Sequence, residues 1–263
     1  MKNNKNLNKY YQTSFLDGLE ILYAKSCTTD FPPHSHSTYN ISLILKNTFK
    51  TRLEDKILQA PVGTICITNA DEVHATPCDS IVGNSFFTFY ISSDLMIKLN
   101  NNQDLFFNEK VIYNQDVFKE LYFLASNFNK MDFSFESRLK LALKRLISRN
   151  SDVEKKPYKK SNLYQNLINN ITFDDFRLDD VASQFGVNKY KFIRLFKQET
   201  GLTPNNFVLL KKIEMSKEML KKGNSIFDVA IDCGFYDNSH FYKNFKRFIG
   251  VNPLEFQNAF LSV

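Results

Sequence analysis

Apolar positions change their period along this chain. Residues 19–25, 39–45, 49–53, 57–60, 63–68 and 85–91 form short runs rich in Ile, Leu, Phe, Tyr and Thr, broken by turn residues. Pro32-Pro33 and Pro61-Val62-Gly63 punctuate them. Several short strands at close spacing predict an antiparallel barrel or sandwich. The first ten or so residues read as a polar, frayed lead-in. From about residue 100 the period becomes helical. Val117, Leu121, Leu124, Ala125 and Phe128 mark one amphipathic helix, and Phe135, Leu139, Ala142, Leu143, Leu146 and Ile147 mark another. Those two stripes are wide enough to cover the barrel. The charges on the second helix, Arg138, Lys140, Lys144, Arg145 and Arg149, read as a solvated face.

A charged segment, SRNSDVEKKPYKKS over 148–161, has no apolar stripe and predicts an interdomain linker. Leu163, Leu167, Ile168 and Ile171 then begin a bracing helix.

Beyond the linker the chain says the same thing twice. Asp180, Val181, Ala182 and Gly186 recur 48 positions later as Asp228, Val229, Ala230 and Gly234. Phe192, Phe196, Lys197, Gly201, Pro204 and Phe207 recur 49 positions later as Phe241, Phe245, Lys246, Gly250, Pro253 and Phe256. One inserted residue after Gly234 accounts for the change of offset. This is a duplicated structural unit.

Each copy reads as helix, glycine turn, helix. Gly186 can take the positive φ that ends the first helix, and Asn188 can cap the second. Thr203-Pro204 supplies a cap and a first-position proline for the next helix. Phe192, Leu195 and Phe196 point inward, while Lys189, Tyr190, Lys191, Arg194 and Lys197 occupy the opposite face. The second copy runs from Ile226 to Cys233, turns at Gly234 and resumes from Asn238 to Phe248. Stacked bundle helices would share the apolar spacing, but a recurring glycine turn with basic and aromatic outer faces favours a helix-turn-helix that reads a major groove.

Charge sharpens this division. Of the net +6, residues 1–154 contribute nothing, with 17 Lys and Arg against 17 Asp and Glu. Residues 155–263 hold 17 against 11, so the whole excess sits with the repeats. A basic domain joined to a neutral one fits a DNA-binding module fused to something else. Cys27, Cys66, Cys78 and Cys233 form no C-x-x-C pair, so neither a zinc knuckle nor a redox motif is indicated. The start MKNNKNLNKYYQ lacks the apolar core of a signal peptide, and no run is long enough to span a membrane. The expectation is a cytoplasmic protein.

The stretch GVNKYKFIRLFKQETGLTP, with DVAIDCGFYDNSHFYKNFKRFIGVNPLEF after it, resembles the DNA-binding domain of AraC/XylS-type transcriptional regulators. The resemblance implies two helix-turn-helix units joined by a linker helix over 207–222, with both recognition helices entering successive major-groove segments. On the first recognition helix Tyr190, Ile193 and Arg194 lie on the side away from Phe192 and Phe196, with Arg194 the candidate for a bidentate guanine contact. Ile193 departs from the polar residue often found there in the family and offers only an apolar contact. On the second the resemblance assigns Asn238, Ser239, His240, Tyr242 and Lys243 to the outward set, though Tyr242 serves a structural role equally well. Lys189, Lys191, Lys197, Lys246 and Arg247 read as phosphate clamps.

Three of the four histidines lie in the strand region. His34 and His36 form an H-x-H pair, which a strand points to one face, and His74 follows 69–73. Together they suit a metal, a carboxylate or a hydroxylated small molecule. PPHSHSTYNISLILKNT with PVGTICITNADEVHA resembles the cupin-type effector domain found at the N-terminus of many such regulators. It also resembles metal-binding cupin enzymes, which carry a Glu four residues after the second His of the pair; here that position is Asn40. Pocket lining is therefore preferred to metal ligation, and no metal or cofactor is expected. Glu72 is either a ligand contact, an ion-pair partner or a solvated charge.

The expectation is an α+β two-domain chain. Residues 11–149 form a cupin-like antiparallel barrel with following helices, which binds an effector near His34, His36, Glu72 and His74. Residues 150–161 form a linker, and 162–263 an all-α double helix-turn-helix domain. The predicted function is a sequence-specific, non-enzymatic transcriptional regulator. Its predicted partners are double-stranded promoter DNA, a small-molecule effector, RNA polymerase and a second copy in a homodimer, with no membrane. The alternatives are a metal-dependent cupin enzyme with a DNA-tethering domain, and an architectural DNA binder.

Overall fold

A computed structural model describes residues 7–13, 15–54, 56–128, 133–151 and 176–261, and the chain divides into two compact units. The expected linker and the bracing helix over 163–171 lie outside the described residues.

Among the described residues, the β-rich part contains ten strands: β1 (Leu7–Gln12), β2 (Glu20–Cys27), β3 (Phe31–His34), β4 (Thr38–Lys46), β5 (Phe49–Leu53), β6 (Lys56–Ala60), β7 (Ile65–Thr68), β8 (His74–Thr76), β9 (Asn84–Ser92) and β10 (Val111–Ile112). They form two sheets, in the orders β1-β2-β9-β4-β7-β10 and β3-β8-β5-β6, rather than one closed barrel. Pro32 and Pro33 in β3 have no N–H to offer a further neighbour, which suits that strand to the edge it occupies.

The expected frayed lead-in is corrected over 7–12. These residues form β1 and pair with β2 from Leu7↔Lys25 to Gln12↔Glu20. Tyr10 is buried, and its hydroxyl donates to the Glu20 carboxylate, so side chains as well as ladder bonds hold the segment.

The register of the six-stranded sheet separates two faces. Ile21, Phe89, Ile41 and Ile67 lie in one cross-strand row, and Tyr23, Phe87, Leu43 and Ile65 in the next. This apolar face packs into one core with α2 (Gln115–Ser126) and α3 (Phe133–Asn150), through Val117, Leu121, Leu124, Phe135, Leu139, Leu143 and Leu146. The two helical stripes therefore cover the sheet. Arg138 is more than a solvated charge: its guanidinium makes two hydrogen bonds to Glu120, at 2.7 and 3.1 Å, and lies over the Phe123 ring. A short helix, α1 (Ser93–Leu99), follows β9 and is capped by Ser92.

The helical part contains α4 (Leu178–Gln184), α5 (Lys189–Thr200), α6 (Pro204–Lys221), α7 (Ile226–Asp232), α8 (Asn238–Ile249) and α9 (Pro253–Leu261). The two copies correspond feature by feature. Asn188 accepts from the Lys191 N–H and Asp237 from the His240 N–H, so α5 and α8 start on equivalent caps. Gly201 and Gly250 end those helices at φ of 75° and 86°. Inside, Phe192, Phe196 and Phe207 form a ladder with ring centroids 5.7 and 5.5 Å apart. Phe241, Phe245 and Phe256 repeat it at 5.5 and 5.3 Å. Fully burying such a ring, as at Phe192, Phe196, Phe241, Phe245 and Phe256, contributes about 1.5–3 kcal/mol, which fixes the helix pairs from within and leaves their outer faces open to other partners.

Candidate functional site

Two places in the molecule gather chemistry, one in each sequence region. In the helical part it is the outer surface of α5 and α8. Tyr190, Lys191, Arg194 and Lys197 are exposed on α5, while Ile193 is half-buried. On α8, Asn238, Ser239, His240, Lys243, Lys246 and Arg247 are exposed, and Tyr242 is half-buried with its ring edge-on to Phe241. Lys189 is less open than expected, because its ammonium pairs with Asp179 at 3.2 Å. That pair is solvent-facing and weak, so it can be exchanged for a phosphate. Such an array of exposed cations, amides and hydroxyls on helices held by short glycine turns can dock in a major groove.

In the β-rich part, His34 at the end of β3, His36 just beyond it and His74 at the start of β8 converge. One nitrogen from each lies within 4.8 Å of the others. The ring Nδ1 of His34 bonds the Pro32 carbonyl at 2.6 Å, and that of His74 bonds the Glu72 carbonyl at 3.0 Å. Each bond fixes its ring's orientation and, in a neutral imidazole, places the proton on Nδ1 and the lone pair on Nε2. Burial pushes the His74 pKa down to about 4, so it is neutral at physiological pH; nearby Lys110 adds to this, and the bond to Glu72 opposes it.

Glu72 joins the site through its backbone, not its carboxylate. The carboxylate accepts from the Asn69 N–H at 2.9 Å and pairs with the buried Lys110 at 2.8 Å. This tie braces the turn that carries His74.

Sequence reasoning missed a second layer. On the other face of the six-stranded sheet, Glu20, Tyr90, Asn40 and Thr68 form one cross-strand row, and Thr88 and Ser42 stand in the next. A polar residue at every second strand position ordinarily marks a solvated face, yet Glu20, Asn40, Thr68, Ser42 and Thr88 are all buried. Ser42 and Thr88 share a hydrogen bond of 2.8 Å. The Tyr10 ring stacks near Tyr90, and burial followed by the Glu20 charge raises the pKa of both phenols. The His36 ring meets the Tyr90 ring edge-on at 5.3 Å, joining this polar row to the three histidines.

The donor set bears on a metal. Three neutral imidazoles are an accepted zinc set. Bond lengths of about 2.0–2.1 Å would set the nitrogens roughly 3.4 Å apart, a separation that falls within the 4.8 Å limit of the cluster. Asn40 does not complete such a set, because its amide oxygen accepts from Thr38 Oγ1 at 3.1 Å.

Comparison with known proteins agrees with this division. An AraC-like ligand binding domain model matches residues 18–106, and a helix-turn-helix domain model matches residues 181–259. The chain is 25% identical to the HTH-type transcriptional regulator YbfI of Bacillus subtilis, over 84% of this chain and 85% of that protein. It is 31% identical to the HTH-type transcriptional activator RhaS of Escherichia coli, over 33% of this chain and 31% of RhaS. Unsaturated fatty acid-bound ToxT from Vibrio cholerae shares the fold at a TM-score of 0.56 and 16% identity, over 100% of this chain and 99% of that one. With an N-terminal ligand-binding domain followed by a C-terminal helix-turn-helix domain, the chain belongs to the AraC/XylS-type transcriptional regulators.

Proposed function

We propose that α5 and α8 enter successive major-groove segments on one face of promoter DNA, and that a small molecule bound at His34, His36 and His74 controls this engagement. The duplicated recognition helices, started on equivalent caps, carry the first half of the reading. Arg194 makes the bidentate base contact, and Ile193 offers an apolar surface to a thymine methyl. Lys191, Lys197, Lys246 and Arg247 hold phosphates and set register, as does Lys189 once released from Asp179.

The histidine cluster carries the second half. The three imidazoles, with Tyr90 against His36 and with Tyr10 and Glu20 next to Tyr90, suit a ligand that presents a hydroxyl or carboxylate group. ToxT is bound to an unsaturated fatty acid in its structure, and a fatty acid's head group falls in this class. Effector binding shifts the population between regulator states in proportion to its differential affinity for them, and no further coupling device is needed. A cytoplasmic homodimer acting with RNA polymerase belongs to the same reading.

One observation favours a second reading: the three nitrogens within 4.8 Å are also a donor set for a divalent transition metal, which would supply Lewis-acid chemistry at the site. Native mass spectrometry of the full-length protein and its His36→Ala variant, beside denatured controls, separates the two. An organic mass retained by the wild type and lost from the variant supports effector control, and a metal mass supports the second reading. A bare wild-type chain whose His36→Ala variant binds DNA unchanged contradicts both. The same spectra report the oligomeric state.

A further inference from the structure

The inserted residue of the second copy can be located from backbone bonds. In the first copy, Gly186 has φ 64°, and the next N–H, from Val187, bonds the Ala182 carbonyl. In the second, Gly234 has φ 67°, and the next N–H, from Phe235, bonds the Ala230 carbonyl. Val187 and Phe235 are therefore equivalent, as are the caps Asn188 and Asp237. One residue lies between Gly186 and its cap, and two lie between Gly234 and its cap. The extra residue is Tyr236, which is 92% exposed.

The turn that presents Tyr236 is held on both sides. Phe235 is buried, with its ring 4.9 Å from that of Phe241, and Lys212 donates to the Gly234 carbonyl. Asp237 caps α8 on the next position. The phenol is thus carried on a fixed backbone at the N-terminal mouth of the second recognition helix.

Charge gives this position a task. The first turn of α5 carries Lys189 and Lys191 around Tyr190. The first turn of α8 carries Asn238, Ser239 and His240, preceded by the carboxylate of Asp237, and its first lysine is Lys243. Residues at the start of a recognition helix approach base edges, and the residue before them meets the groove wall, where phosphates run. The second copy is poorer in cations there.

We infer that Tyr236 contacts DNA, its hydroxyl donating to a backbone phosphate beside the second recognition helix. It gives the second copy a neutral clamp where the first uses lysines. This rests on the proposed DNA reading.

The test uses full-length protein and a DNA site enriched from a random duplex library. Tyr236→Phe and Tyr236→Ala are compared with wild type by fluorescence anisotropy, and phosphate contacts are mapped by ethylation interference. The expected result is an equal loss of about tenfold for both variants. One phosphate beside the second contact should lose its interference, while melting temperature and circular dichroism stay unchanged. Wild-type affinity in Tyr236→Ala overturns the inference and leaves the DNA reading standing. Wild-type affinity in Tyr236→Phe with loss only in Tyr236→Ala overturns the phosphate bond in favour of ring contact. A wild-type chain that enriches no duplex overturns the DNA reading, and this inference with it.

Discussion

In the β-rich part, the polar residues that gather at one place are buried: His34, His74, Glu20, Asn40, Thr68 and Tyr10 all lie out of solvent. On α5 and α8 the corresponding groups, Tyr190, Arg194, Lys197, Asn238, His240 and Lys246, stand in it. On the proposed reading, the contrast follows from what each place binds. A phosphate backbone is met at a surface, where cations cost nothing to hold in water and act through a salt-screened field. A small ligand is met in an interior, where neutral, hydrogen-bonded groups of fixed orientation discriminate and charge is expensive. The DNA surface should therefore respond mainly to ionic strength, and the histidine cluster mainly to pH and to exact side-chain chemistry.

The largest expected effect tests whether the exposed readers depend on the aromatic ladder beneath them. Phe245 is fully buried between Phe241 and Phe256. Phe245→Ala should cost about 3–5 kcal/mol in chemical denaturation and abolish DNA binding at every sequence. A smaller loss that spared binding would mean that the outer face organises itself.

The pH response of the buried cluster comes next. His74 titrates near 4 in the folded chain and at 6.5 as a free side chain. Between those values the unfolded state binds the extra proton, so stability present above pH 6.5 is lost as the pH falls toward 4. The loss is about 3 kcal/mol. His74→Gln should flatten that part of the pH profile, as read by urea midpoints from pH 7 to 4. An unchanged slope would place the titrating group elsewhere.

The DNA surface should separate its two kinds of contact at smaller cost. Arg194→Ala should lose about 1–3 kcal/mol on the enriched site and relax one base position. Lys246→Ala should weaken all sequences alike and lower the salt slope by about one. Identical behaviour of the two variants would mean that Arg194 is only a clamp.

The smallest effect compares the caps. Asn188→Ala and Asp237→Ala each remove a side chain that accepts from the third helical N–H. Each should cost about 1 kcal/mol in melting experiments.

Legibility in the sequence followed the same contrast. The helical part is written in local signals: glycines in the left-handed region, caps one turn before an inward Phe, and a repeat that checks itself. Only the identity of the inserted residue needed the structure. Most strands were equally plain, but β1 was hidden by its polar LNKYYQ, β3 by its two prolines, and β8 and β10 by their brevity. The spacing of His34 and His36 suggests one shared strand face, but β3 ends at His34, and it is the fold that brings both residues to His74. Glu20, Asn40, Thr68 and Tyr90 carry no motif at all. Their row exists because four strands pair in one register, and alternation alone would have assigned that face to water.

Whether both recognition helices read one site can be settled by selecting duplexes from a random library with the full-length protein, followed by hydroxyl-radical footprinting. Paired reading predicts one enriched sequence with two protected segments on one face of the helix, about one turn (10–10.5 base pairs) apart. Uniform retention of all sequences with a steep salt dependence would contradict sequence-specific reading. A single protected segment would contradict the use of both recognition helices.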